Sequence, residues 1–378
     1  MKTKNYLLSI IFLIVLISIN ACSDKLSKQV QNSYLIKYDD LEKIDDKISH
    51  FLYVDDEGRV WYGNGQITKT GFYSDGLIRR KADLSFDNKF NTSDISKIGV
   101  IKYGHILAIH SGFLAIGYND GFDDYMWDFG CKFNNADFVN CQTIIYNNLT
   151  GITSITYGNS SYFMGTGNGI YRMDIKDNRW NFERVYFDEM ASSLNSVYDM
   201  YSNDGVIYAS SVLNINNPIS NIGYGILESS DNGNTWERTL VNDSIFYFAG
   251  SYEDKVYAYI LHQNSFWTKR FNSKWELMSN LPVKKNRGNE QCDFHFTISK
   301  NGDIWGSCSL LTLEYRGGDF PSPEYFGAYL IKSQDNGRNW QIIDLDKQIK
   351  YVFDIKFLPS GYILLATDKG IFKKSMNN

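Results

Sequence analysis

The chain has 378 residues, of which 43% are hydrophobic, 16% aromatic and 21% charged, and its formal net charge is −5. The 27 Tyr and 24 Phe, together with only 5 Pro, favour strands over helices. The basic residues are scattered along an acidic chain, which argues against a nucleic-acid-binding surface. This length is sufficient for one large all-β domain.

The N-terminal segment has the composition of a secretory signal. Lys2 and Lys4 precede an apolar run from Tyr6 to Ile19, which is short for a membrane-spanning helix. The following Asn20-Ala21-Cys22 completes a sequence that resembles a bacterial lipobox. The resemblance implies that residues 1–21 are a cleaved lipoprotein signal peptide, that Cys22 is lipidated and that residues 22–31 form a polar tether. An ordinary cleaved signal with a coincidental cysteine and an uncleaved anchor are the alternatives.

A unit of about 50 residues repeats from His50 onward, which is typical of propeller blades. Its clearest part is a second strand of aromatic and small residues, which occurs seven times, in segments beginning at Gly58, Gly104, Ser161, Gly205, Lys255, Gly302 and Gly361. Three strands are predicted for the seventh unit, one fewer than a complete blade has, and one isolated strand is predicted at Asn32–Asp39. We therefore predict that residues 32–378 form one seven-bladed, all-β propeller whose last blade is closed by this N-terminal strand.

Beyond Cys22 the chain has four cysteines, in two pairs separated by short segments. Cys131 with Cys141, and Cys292 with Cys308, each flank a plausible hairpin turn, so two local disulfides are expected in an oxidising compartment. Four cysteines allow three connectivities, and zinc binding is the competing interpretation. No pair has Cys-x-x-Cys spacing, and we expect no metal and no other cofactor.

Two eight-residue segments share the pattern Ser-x-Asp-x-Gly-x-x-Trp. The first, at 229–236, contains Ser229, Asp231, Gly233 and Trp236, and the second, at 333–340, contains Ser333, Asp335, Gly337 and Trp340. The glycine suits a tight turn with positive φ, the serine and aspartate can bind the backbone of the turn, and the tryptophan can be buried beneath it.

These segments resemble Asp-boxes, the hairpin motif of BNR-repeat propellers in sialidases, sortilin-type receptors, xyloglucanases and a photosystem II assembly factor. The resemblance implies a structural turn on the face away from a ligand site. It does not imply sialidase activity, because the Arg-Ile-Pro or Arg-Val-Pro motif of sialidases is absent and arginines are few.

Long connections carry the candidate ligand-binding residues. They are Asp123, Asp124, Tyr125 and Trp127 in the second unit, and Glu314, Tyr315, Arg316 and Tyr325 in the sixth. Aromatic faces stack on sugar rings, and carboxylates accept hydrogen bonds from hydroxyls. Alternatively, such tyrosines pack on their own loops, and the second-unit segment is a degenerate Asp-box turn on the other face.

Asp199, Asp293 and Asp354 recur near the start of the innermost strands. A ring of carboxylates at a channel mouth could hold a cation. We prefer the interpretation that these aspartates bind the backbone of adjoining loops.

The leading functional hypothesis is a non-enzymatic lipoprotein of the bacterial envelope, periplasmic or surface-exposed. It would be attached to the membrane by its N-terminal lipid and would bind a glycan or a protein through its loop-rich face. The alternatives are a glycan-active hydrolase or lyase that uses loop carboxylates, and an envelope assembly factor. The assembly role rests on analogy of fold alone.

Overall fold

The computed structural model describes residues 34–375, apart from 69–70, 91–94, 103–104, 111–112, 120–124, 130–150, 177–178, 188–195, 215–221, 243, 261–262, 285–290 and 315–321. The described residues form twenty-nine strands and one short 3-10 helix, Tyr38–Asp40. None of the described helical structure has the length and apolar character needed to cross a membrane.

The strands are numbered in chain order. Two precede the first unit, β1 (Tyr34–Ile36) and β2 (Glu42–Asp45). The first unit has β3 (Leu52–Val54), β4 (Val60–Thr68), β5 (Gly71–Arg80) and β6 (Phe86–Phe90). The second has β7 (Ile95–Lys102), β8 (His105–His110), β9 (Phe113–Asn119) and β10 (Tyr125–Phe129). The third has β11 (Ile152–Gly158), β12 (Ser161–Thr166), β13 (Gly169–Lys176) and β14 (Arg179–Tyr186).

The remaining units follow the same order. The fourth has β15 (Val197–Asn203), β16 (Val206–Asn214), β17 (Ile222–Ser229) and β18 (Glu237–Asn242). The fifth has β19 (Phe246–Tyr252), β20 (Lys255–Ile260), β21 (Ser265–Arg270) and β22 (Glu276–Asn280). The sixth has β23 (Gln291–Ile298), β24 (Ile304–Glu314), β25 (Ser322–Ser333) and β26 (Gln341–Leu345). The last has β27 (Val352–Phe357), β28 (Tyr362–Thr367) and β29 (Gly370–Ser375).

Each unit is an antiparallel meander, and the described strands form six four-stranded sheets and one five-stranded sheet. The first strands of neighbouring units contact one another around a central channel, as β11 does with β15 and β15 with β19. The second strands are the most buried, because they lie inside their own sheet and between adjacent sheets; every residue of β12 is buried. The chain is an all-β propeller, which confirms this part of the predicted fold class.

The strand that closes the last sheet differs from the prediction. The segment predicted at Asn32–Asp39 contributes β1, which pairs in parallel with β26 and adds a fifth strand to the sheet of the sixth unit. The last sheet is completed instead by β2, which runs antiparallel to β29. The outer strand of each of these two sheets has unpaired backbone groups, so either sheet could accept an added strand. The sequence pattern could not distinguish between the two sheets.

The two strand ends of each sheet define two faces of the propeller. The turn face carries the connections from first to second and from third to fourth strands, including the turns at 229–236 and 333–340. The mouth face carries the connections from second to third strands and from one unit to the next. β26 begins at the turn face, and β1 runs parallel to it. Tyr34, the first residue of β1, is therefore at the end of β1 that is nearer the turn face.

The two Ser-x-Asp-x-Gly-x-x-Trp turns bind their own backbone in the same way. Ser229 Oγ accepts a hydrogen bond from the amide of Gly233 at 2.8 Å and donates to Asp231 Oδ1 at 2.9 Å. The Thr235 hydroxyl and amide both donate to Asp231, and these bonds lower the pKa of its carboxyl to about 2. The second turn repeats the bonds through Ser333, Asp335, Gly337 and Asn339.

Each of these turns also packs on the preceding unit. A Cβ at Gly233 would lie 2.6 Å from Phe163 Cε1, and one at Gly337 would lie 2.5 Å from Phe266 Cδ1. Trp236 and Trp340 are half-buried, whereas the sequence predicted buried indoles. Trp340 contacts both Phe266 and Phe296.

One of the two expected disulfides lies in the described part of the chain. Cys292 on β23 is bonded to Cys308 on β24, across the hairpin whose turn contains Gly302 at φ +83°. This pairing is confirmed, and it excludes these two sulfurs as zinc thiolates. Cys131 and Cys141 lie outside the described residues, as does Cys22.

Candidate functional site

The first strands bring acidic side chains to the mouth face through a shared irregularity. β15 and β27 each have a register shift one residue before an aspartate, between Val197 and Asp199 and between Val352 and Asp354. A β-bulge of this kind re-aims the following side chain. Asp199 and Asp354 therefore point along the sheet-to-sheet interface instead of into solvent.

Both aspartates bind backbone amides of the neighbouring unit. Asp199 Oδ2 accepts from Phe248 N at 2.9 Å, and Asp354 Oδ2 accepts from Leu52 N at 2.8 Å. The two aspartates bind adjoining backbone, as predicted, but the amides belong to the first strands β19 and β3 and not to loops. Within the described residues, no group of three or more His, Cys, Asp or Glu side chains is arranged to hold a metal ion.

Asp293 differs from the other two aspartates. In β23 the register position of Asp199 and Asp354 is occupied by His295, which pairs with Ser307 as Asp199 pairs with Ser210. Asp293 lies two residues earlier and nearer the mouth. Its Oδ2 accepts a hydrogen bond from the Tyr351 hydroxyl and lies 3.6 Å from His295 Nε2. Oδ2 makes both contacts, and the Asp293 side chain is 30% exposed.

Aromatic rings form a continuous row of contacts beside Asp293, tilted between Tyr325 and Tyr351, edge-on between Tyr351 and Phe353, and stacked between Phe353 and His50. The Tyr325 and Tyr351 ring centroids are 4.3 Å apart, those of Tyr351 and Phe353 are 4.4 Å apart, and His50 stacks on Phe353 at 4.6 Å. Tyr351 is buried, Tyr325 and Phe353 are half-buried, and His50 is exposed. This row of rings therefore runs from the sixth unit to the first across the mouth face. We call Asp293, His295, Tyr325, Tyr351 and Phe353 the mouth cluster.

The charges in the mouth cluster favour an ion pair. Burial alone would lower the pKa of His295, but the carboxylates of Asp293 and Asp354 raise it above the ordinary value of 6.5, while Lys356 opposes them. Burial alone would raise the pKa of Asp293, but His295 and the Tyr351 hydroxyl bring it below 3.8. Burial and the Asp293 charge raise the pKa of Tyr351, so its hydroxyl stays protonated and remains a donor.

These shifts predict how stability depends on pH. A raised folded pKa means that the His295 contribution is fully present below 6.5 and is lost as pH rises through the folded pKa. The lowered pKa of Asp293 makes its contribution present above 3.8 and lost as pH falls through the folded value. We expect the free energy of unfolding to decrease as pH rises above about 6.5, and His295→Gln to remove this part of the decrease.

Urea unfolding from pH 5 to 9, of the wild type and of His295→Gln, measures this dependence. The variant His50→Gln is the control, because His50 stacks on Phe353 at the same mouth but is exposed. Parallel stability curves for the wild type and His295→Gln would contradict the expected ion pair.

The structure brings together only part of the predicted ligand-binding set. Tyr325 belongs to the mouth cluster. Glu314 ends β24 opposite Ser322, so the predicted long loop is largely an extension of the β24–β25 hairpin. Tyr315 and Arg316 lie outside the described residues, as do Asp123 and Asp124.

The described start of β10, at Tyr125, lies toward the turn face. Tyr125 and Trp127 lie on β10, where Tyr125 pairs with Asn119 of β9. The paired ends of the third and fourth strands at Asn119 and Tyr125 lie toward the turn face, while the paired ends of β24 and β25 at Glu314 and Ser322 lie toward the mouth face. Tyr125 and Tyr325 are therefore not brought together, which agrees with the alternative position equivalent to the Ser-x-Asp turns, while the two connecting loops themselves lie outside the described residues.

Sequence reasoning missed the role of Tyr351, Phe353 and His295. A signal existed in the recurrence of an aromatic residue before the inner-strand aspartate, Tyr198-Asp199 and Phe353-Asp354. Below the mouth cluster the channel holds a cavity of about 430 Å³, whose lining includes Asp199, Asp354 and Lys356.

No protein-family model and no curated protein matches this sequence. Among solved structures, the chain is similar to a streptogramin B lyase, with a TM-score of 0.57 and 13% identity over 88% of this chain and 96% of that one. Virginiamycin B lyase from Staphylococcus aureus gives 0.55 and 12% over 88% and 97%. The extracellular domain of a protein from B. thetaiotaomicron, described as a hybrid two-component system, gives 0.52 and 16% over 89% and 40%. At these identities the similarity establishes the propeller fold alone.

Proposed function

We propose that this chain is a non-enzymatic envelope protein that binds a glycan or protein partner at the mouth face. The observation that carries the proposal is the row of contacting rings of Tyr325, Tyr351 and Phe353 beside the partly exposed carboxylate of Asp293. Half-buried aromatic rings offer apolar surface to a ligand, and a neighbouring carboxylate accepts hydrogen bonds from ligand hydroxyls or amides. This combination suits sugar rings or a partner's aromatic and polar side chains.

The chemistry of the mouth favours binding over hydrolysis. Glycoside hydrolases generally place two carboxyl groups on either side of one bond, with the pKa of the acid raised. Here Asp199 and Asp354 are engaged with backbone amides, and the pKa of Asp293 is lowered. Asp293 is therefore a charged acceptor at neutral pH and a poor general acid.

Lipid anchoring is part of the same proposal. The basic and apolar leader and Cys22 support it, and residues 22–31 would tether the propeller to the membrane. The remaining predicted residues of the β24–β25 hairpin, Glu314, Tyr315 and Arg316, would extend the binding surface beyond the mouth cluster. If the partner is an envelope protein, binding at the mouth face would serve an assembly role.

We expect Tyr325→Ala to weaken binding by about 1 to 3 kcal/mol, because it removes the more exposed ring of the Tyr325–Tyr351 pair while leaving the buried ring in place. The wild type and variant are compared on a glycan array and in a pull-down from the native envelope, and captured ligands are then titrated. The two assays separate a glycan from a protein partner.

Phe271→Ala is the matched control, because Phe271 is an aromatic side chain 56% exposed on the turn face. It should leave binding unchanged. If Phe271→Ala lost the ligands and Tyr325→Ala kept them, the binding site would lie on the turn face and the proposal would be wrong. Turnover of a captured glycan would instead support the hydrolase or lyase alternative.

A further inference from the structure

The direction of β1 determines where the N-terminal segment meets the propeller. β1 pairs in parallel with β26, with Tyr34 opposite Ile343. β26 begins at Gln341, immediately after the turn at 333–340. The segment that precedes Tyr34 therefore joins the propeller from the turn face, beside the sixth unit.

A cationic cleft lies on this same face, between the β21–β22 connection and the turn at 333–340. It has a volume of about 400 Å³. Its charged lining has one acidic side chain, Glu276, and five basic ones, Lys255, Lys269, Arg270, Lys274 and Arg338. We call this the basic cleft. It is positive although the whole chain carries a net charge of −5.

Two of the five basic side chains have an acidic partner, and the other three do not within the described part of the chain. Lys269 pairs with Glu228, and Arg270 lies 3.8 Å from Asp254. Lys255 Nζ donates to the neutral Asn336 side chain at 3.2 Å, which fixes the ammonium at the cleft wall.

Lys274 and Arg338 are exposed and form no ion pair within the described part of the chain. The cleft can therefore accept anionic groups from outside the molecule.

We propose that the turn face lies against an anionic phospholipid surface, with lipid phosphates in the basic cleft and the mouth cluster directed away from the membrane. This rests on the proposed lipid anchor at Cys22. The 11 residues between Cys22 and Tyr34 span at most about 40 Å, so the anchor holds the propeller close to the bilayer. Cations this near an anionic surface are attracted to it, and the attraction is screened by salt.

The full chain, purified from its producing cells in detergent, provides the test. Mass spectrometry of the N-terminal peptide establishes whether Cys22 carries lipid. The protein is then placed on vesicles of phosphatidylcholine, with or without phosphatidylglycerol, and amide hydrogen exchange is followed. We expect slower exchange at 270–276 and 336–340 on the anionic vesicles only, and unchanged exchange at 346–351 on the mouth face.

The double variant Lys274→Glu and Arg338→Glu should lose this protection. The control is Lys347→Glu with Lys350→Glu, which makes the same charge change at exposed positions on the mouth face and should keep it. High salt should reduce the protection of the wild type. A lipidated wild type with equal exchange on both vesicle types, or with protection at 346–351, would overturn the proposed orientation.

An unlipidated Cys22 would contradict the anchor but would still allow a decision on the cleft. The same chain is then sedimented with the two vesicle types at low salt. Binding to anionic vesicles that falls at least about 25-fold in Lys274→Glu with Arg338→Glu would support a lipid-binding cleft, because removing each cation costs roughly fivefold and the added carboxylates are repelled as well. No difference between the vesicle types would exclude it.

Discussion

Replacing Gly337 with alanine should lower the free energy of unfolding by about 2 to 5 kcal/mol. Gly337 has φ +83°, which costs an L-residue about 1 to 2 kcal/mol. The added Cβ would also lie 2.5 Å from Phe266 Cδ1 and 2.6 Å from Cε1. Phe266 is fully buried and packs on Trp340 and Phe296, so its ring has little room to move.

Gly151→Ala separates the two contributions, because Gly151 has φ +66° and a Cβ there would have no atom within 4 Å. It should cost only the backbone term, about 1 to 2 kcal/mol. Urea unfolding of both variants measures the difference. Equal losses in the two variants would show that packing of the turn on the fifth unit contributes nothing.

Trp340→Ala should cost about 3 kcal/mol, and Trp236→Ala about half of that. Trp340 packs on Phe266 and Phe296, and its Nε1 donates to Ser279 Oγ of the fifth unit at 2.9 Å. Trp236 contacts Tyr186, and its Nε1 donates to Gly233 O within its own turn. Because both indoles are half-buried, these costs lie at or below the range for fully buried residues.

Chemical denaturation of the two tryptophan variants checks this order of stability. Binding of any ligand captured through the mouth face should be unchanged in the folded fraction of each, since both tryptophans lie on the turn face. A larger loss for Trp236→Ala, or lost binding with unchanged melting, would contradict the structural role.

The mouth cluster and the basic cleft lie on opposite faces, and this arrangement gives the molecule a direction. The proposed membrane contact would occupy the turn face, while the mouth cluster would remain open to a partner. The interaction between Asp293 and His295 couples the mouth to pH, because it is strongest between the lowered pKa of the acid and the raised pKa of the base.

The sequence by itself determined the repeat and therefore the propeller. Each unit must bury a second strand on both sides, so the pattern of aromatic and small residues recurs wherever a sheet packs between two neighbours. The Ser-x-Asp-x-Gly-x-x-Trp turns were also readable, because their hydrogen bonds join residues within four positions of one another. The disulfide between Cys292 and Cys308 was predictable as well, because the two cysteines are only 16 positions apart and flank one hairpin turn.

Only the tertiary structure decided which strand closes the last sheet and which residues meet at the mouth. Both depend on contacts between distant segments, such as β1 with β26 and Tyr351 with Asp293 and Tyr325. A repeat predicts that sheets adjoin but not which side chains converge, because a single bulge in an inner strand redirects the residue that follows it. Likewise, only the pairing of β9 with β10 showed that Tyr125 begins a strand opposite Asn119, toward the turn face.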